Sequence, residues 1–115
     1  MPVVKTHIDR YQYEFRTAGT ENVAILYLFD DENNLLAMAA FVDGQDPLPG
    51  PKESPSGTIT LTWRRSDFPS VIDMLRNETP VYFTWAREVQ VARITTEEEP
   101  IGEEEYKSFW QLLFG

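Results

Sequence analysis

The chain has no cysteine among its 115 residues. That excludes a disulfide framework and any zinc site built on thiolates, and it fits a reducing compartment, so a cytoplasmic location is expected. There is a single histidine, His7. His7-x-Asp9 could set two metal ligands on one strand face, but no other residue completes a site by spacing, so neither a metal nor a cofactor is expected. Long apolar runs are also missing. The longest, 23–29 and 35–42, are strand-sized and far short of the ~20 residues that span a bilayer. The opening MPVVKTHIDR has no apolar signal core and no cleavage site, so no membrane association is expected. Bases are scarce, with ten Lys and Arg against nineteen Asp and Glu for a net charge of −9.

Most of that charge is local. Residues 1–94 carry thirteen acids and nine bases, while Glu97, Glu98, Glu99, Glu103, Glu104 and Glu105 crowd the acidic segment 95–105. A field of this sign repels phosphate backbones and anionic membranes, which disfavours nucleic acid as a partner. Glu103 to Glu105 fall in the first turn of a predicted helix, where each carboxylate gains at best ~0.3–1 kcal/mol from the helix dipole. Glu97 to Glu99 have no such role and are left for solubility or for a basic protein partner.

What is present suffices for one core. Apolar residues make up 42% and aromatics 13%, in a chain of the commonest single-domain size, so 1–115 is expected to be one domain. Residues 5–16 alternate, with Tyr11, Tyr13 and Phe15 on one face and Arg10, Gln12, Glu14 and Arg16 on the other, which predicts a first strand. Segments 23–29 and 35–42 are apolar on both faces and flank the polar cluster 30–34. This predicts a hairpin of central strands, covered on both sides by helices or by a second subunit. Asp30 to Asn34 could open a calcium loop, but Leu35 stands where that loop needs glycine and Phe41 where it needs glutamate, which leaves a turn. Residues 45–57, QDPLPGPKESPSG, form a Pro-rich loop. A strand follows over 58–64. A helix capped by Ser66 comes next, with Phe68, Val71, Ile72 and Leu75 on its inner stripe. A second hairpin spans 81–85 and 89–94, and a C-terminal helix carries Tyr106, Phe109, Trp110 and Leu113 at i, i+3, i+4 and i+7, widened by Leu112 and Phe114.

The expected fold is therefore α+β, an antiparallel sheet of about six strands in the order ββββα-ββα, with helices on one face. Four strands followed by a helix resembles the single-stranded-DNA-binding transcriptional regulators, the Whirly proteins and the positive coactivator among them. The stretch LTWRRSDFPSVIDMLRNETPVYF (61–83) with ITTEEEPIGEEE (94–105) also resembles a family of small uncharacterised acidic proteins from photosynthetic bacteria. The resemblance covers most of the chain and implies architecture and dimerisation. It implies no catalytic residues.

Catalytic motifs are absent. There is no G-x-S-x-G, no G-x-x-x-x-G-K-[ST] and no G-x-G-x-x-G. The leading expectation is a non-enzymatic interaction or assembly module acting as a homodimer, with Tyr106, Phe109, Trp110, Leu113 and Phe114 at the interface. The first alternative is a regulator that binds single-stranded DNA or RNA through Arg16, Arg64, Tyr82 and Arg87, since such binding needs cations and stacking rings together. The second is a small enzyme without a recognisable motif, because nineteen acids always leave room for a carboxylate pair.

Overall fold

The computed structural model describes residues 3–44 and 47–97. They form eight strands and one α-helix in the order β1 (Val4–His7), β2 (Arg10–Ala18), β3 (Glu21–Phe29), β4 (Leu35–Val42), β5 (Lys52–Glu53), β6 (Ile59–Arg64), a 3-10 turn (Arg65–Asp67), α1 (Phe68–Asn77), β7 (Val81–Ala86) and β8 (Val91–Thr96). Two sheets result, one ordered β2-β3-β4-β6-β5 and one ordered β1-β7-β8. The expected single α+β sheet of about six strands, with a helix after the fourth, is thereby corrected. The described residues are mostly β, with sheets of five and three strands and one α-helix, which follows the sixth strand. The predicted C-terminal helix lies outside the described residues.

Three local causes account for the difference. Residues 5–16 are not one strand, because the chain changes sheets between Ile8 and Asp9. The Ile8 N–H donates to the Val81 carbonyl at 2.9 Å and the Asp9 N–H to the Phe29 carbonyl at 2.9 Å, while the Ile8 side chain enters the core. The Pro-rich loop is not wholly irregular, since Lys52 and Glu53 pair with Thr60 and Ile59. Finally, β4 and β6 are parallel, because the long connection 43–58 carries the chain back to the same end of the sheet before β6 begins.

The remaining turns follow from side-chain chemistry. Gly19, at a φ of 64°, takes the first position of the two-residue turn that pairs Ala18 with Glu21, a conformation in which a Cβ is costly. Asp30 closes the β3–β4 turn by accepting from the backbone N–H of Glu32 at 2.9 Å and of Asn34 at 2.8 Å. Its carboxylate is used as a turn lock. A bulge after Leu28 leaves Leu36 unpaired yet packed on the core, so it joins Ala37 on the core side.

The core is set by register. Ala24, Leu26 and Leu28 of β3 lie opposite Phe41, Ala39 and Ala37 of β4, which in turn lie beside Trp63, Leu61 and Ile59 of β6. Against this face come Val81, Phe83 and Trp85 of β7, together with Ile72 of α1. Phe68, Val71 and Leu75 pack beside Ile72, as the helical spacing predicts. The start of the helix differs. A 3-10 turn precedes it, and Asp67, not Ser66, stands at the N-cap without a side-chain bond. The β7 strand crosses the five-stranded sheet from the β3 side, where Val81 bonds Ile8, to the β5 edge, where Trp85 meets Glu53. Phe68 covers the far end, its ring 5.0 Å from that of Phe41.

Phe41 is fully buried and is touched by both Phe68 and Trp63. Phe41→Ala is expected to cost about 3–5 kcal/mol, read as a lower urea midpoint with an unchanged slope.

Candidate interaction surface

Among the described residues, strand β2 is the terminal strand of the five-stranded sheet. Its core-facing residues are Tyr11, Tyr13 and Phe15, which pair with Leu28, Leu26 and Ala24. Their position at the border leaves them half covered. Phe15 is 68% exposed and Tyr13 40%, although both touch Phe68 at ring separations of 5.5 Å. An aromatic ladder thus runs from the buried Phe41 through Phe68 to an open edge. The sequence assigns these rings to the core-facing side, and that is where they point. What it cannot show is that the strand lies last in the sheet, so that the covering layer ends beneath it.

The opposite face of β2 is polar and tied down. Glu14 accepts from the Tyr27 hydroxyl at 2.6 Å and from Arg16 at 2.6 Å. The Tyr27 bond, followed by the Arg16 charge, holds the Glu14 carboxyl below its ordinary value, and the same bond raises the Tyr27 phenol. Farther in on that face, Ile25 is buried and Val23, Tyr27, Phe29, Met38, Ala40 and Val42 are half-buried. Strands β3 and β4 are therefore apolar on both sides, as their sequence indicates.

The residues predicted to contact nucleic acid do not converge. Arg16 lies on β2 and Arg64 at the end of β6, where it pairs in register with Val42. Tyr82 and Arg87 belong to the other sheet and its turn. Tyr82 is also engaged on three sides. Lys5 sits 4.3 Å above its ring, His7 meets it edge-on at 5.8 Å, and its hydroxyl donates to Glu97 at 2.7 Å, which raises its pKa. Arg65, next to Arg64, donates to the Asn22 carbonyl and pairs with Asp43 at 3.4 Å. The predicted interface residues Tyr106, Phe109, Trp110, Leu113 and Phe114 lie outside the described residues.

His7 and Asp9 line a cleft with Arg10, Leu75, Arg76 and Glu78. They do not share a strand face, because β1 ends at His7. Among the described residues no three His, Cys, Asp or Glu side chains gather so as to hold a metal ion, and no helix is long and apolar enough to cross a membrane. A contact the sequence does not announce is made by Glu53. It accepts from Arg87 Nε and Nη2 at 2.7 Å each and from the indole N–H of Trp85 at 3.3 Å, which joins the edge of one sheet to the end of the other. In comparisons with known proteins, no family model, no curated protein and no solved structure matches this chain.

The Arg87 hydrogen bond is the chief cause that holds the Glu53 carboxyl below its ordinary 4.5, helped by Trp85 and opposed by burial. A carboxyl with a lowered folded-state pKa stabilises above its unfolded value and loses that contribution as the pH falls through the folded value. The stability gap between the wild type and Glu53→Gln is therefore expected at neutral pH and should close in the acid range below 4.5. Urea midpoints of both proteins across that range check it; a constant gap would show that the carboxylate charge is not what matters.

Proposed function

We propose that the chain is a non-enzymatic assembly module that works as a homodimer. The observation that carries this reading is the apolar surface left on the terminal strand β2, where Phe15 and Tyr13 are exposed side by side. Lone exposed apolar residues are ordinary. Two adjacent aromatic rings that continue an internal ladder onto a sheet edge form a patch of the kind that marks an interaction site. The half-buried apolar rows of β3 and β4 on the other face of the same sheet add to it.

The nucleic-acid reading has less support. The cations that would contact a strand are spread over two sheets, and Tyr82 has its ring and hydroxyl occupied. The overall charge of −9 opposes phosphate as well.

Sedimentation velocity over a hundredfold dilution is expected to show a dimer that dissociates only at the lowest concentrations. A monomer throughout would overturn the proposal. In parallel, fluorescence anisotropy of labelled single-stranded DNA and RNA at low salt is expected to show no binding. Affinity tighter than about micromolar that falls steeply with added salt would favour the regulator reading instead.

A further inference from the structure

We propose that the partner is a second copy of this chain, paired antiparallel along β2 about a two-fold axis at Phe15. This rests on the assembly reading above and adds the surface and the register.

The edge supplies the hydrogen bonds. The two-residue turn at Gly19 makes Ala18 and Glu21 a hydrogen-bonded pair, and such pairs alternate along an antiparallel ladder. The even-numbered residues of β2 therefore bond to β3. The N–H and C=O groups of Tyr11, Tyr13, Phe15 and Thr17 point toward the outer edge, where no described residue pairs with them. A nine-residue terminal strand with exposed rings has no proline or lysine to keep its edge from pairing, and its charges, Arg10, Glu14 and Arg16, are of both signs and can be matched across a ladder.

The sequence of the strand then selects the register. Both edges keep their groups engaged only when odd-numbered residues face odd-numbered ones. An axis at Tyr13 would set Arg10 against the partner's Arg16, one at Glu14 would set Glu14 against its own copy, and one at Arg16 would do the same to Arg16. One at Gln12 would pair Arg10 with Glu14 but would place the exposed Phe15 ring against the Asp9 carboxylate. With the axis at Tyr11, Phe15 would fall opposite His7, which belongs to the other sheet. An axis at Phe15 avoids each of these mismatches. The most exposed ring of the strand meets its own copy, Glu14 faces Arg16 twice, and Tyr13 faces Thr17 twice. Opposite charges and aromatic pairs directly across a ladder are favourable, and like charges are not. The arrangement is self-complementary, as a two-fold interface must be. It joins the two five-stranded sheets into one and covers Phe15 and Tyr13.

The absence of cysteine makes the test direct. Tyr13→Cys and Thr17→Cys proteins, mixed and exposed to mild oxidant, are expected to form the mixed disulfide dimer, because facing residues of a ladder lie within disulfide range. Either variant alone is expected to form it poorly, since 13 does not face 13 and 17 does not face 17. Phe15→Lys, which adds a charge at an exposed position, is expected to keep its far-UV spectrum and to weaken the dimer about tenfold or more. A wild-type dimer that gives no 13–17 crosslink and withstands Phe15→Lys would overturn the β2 pairing and leave the assembly reading standing. A wild-type monomer would overturn both. If the lysine variant does not fold, the crosslink alone decides.

Discussion

Two neighbouring backbone N–H groups decide how the molecule is put together. That of Ile8 bonds to β7 and that of Asp9 to β3, so the chain passes from one sheet to the other within a single peptide step. The Ile8 side chain, buried at this corner, pins the step to the core. Everything that follows depends on this transfer. It puts the first strand beside β7, starts β2 at the border of the larger sheet, and fixes where β7 enters its path across the β3, β4 and β6 side chains. At the end of that path Glu53 receives Trp85 and Arg87. The two layers are thus joined through the backbone at one side and through a carboxylate at the other, with Leu26, Leu28 and Phe41 sealed between them.

Much of the local structure was legible in the sequence. Residues Leu35–Val42 form a strand with the predicted bounds, the stripe from Phe68 to Leu75 packs inward, and Asp30 to Asn34 make a turn. These elements are encoded by short-range periodicity and by side chains that bond nearby amides. The architecture was not legible. No glycine or proline marks the Ile8–Asp9 corner, and its one trace is that Ile8 falls out of phase with Tyr11, Tyr13 and Phe15, so two strands read as one. Strand β5 is two residues long inside a proline-rich stretch and has no pattern of its own. The parallel pairing of β4 with β6 is a property of the connection's path, which periodicity does not record. The exposure of Phe15 has the same origin. Its face was readable, but its place at the border of the sheet was not.

The basic residues show a consistent use. Arg16 reaches Glu14, Arg65 reaches Asn22 and Asp43, and Arg87 reaches Glu53. Arg10 lies 4.2 Å over the Phe29 ring and Lys5 over Tyr82. Several of these contacts bridge different strands or different sheets. These five of the chain's ten Lys and Arg act as struts within the molecule, and the excess of acids sets the sign of the field outside. Exposed pairs of this kind contribute little stability one by one. Their larger effect is on orientation, since each holds a strand end or a turn in place.

The pairing of β1 with β7 also bears on how the protein is made. Strand β1 is synthesised before β2 through β6 and the helix, yet its hydrogen-bond partner β7 follows all of them. The β2–β3–β4 meander needs only neighbouring segments and can close early, while Val4 to His7 wait with both edges open. Contacts between segments far apart in the sequence are slow to find, because a long loop must close first. The smaller sheet therefore carries the largest loop-closure cost in the fold, since β1 gains its neighbour only where β7 crosses the larger sheet.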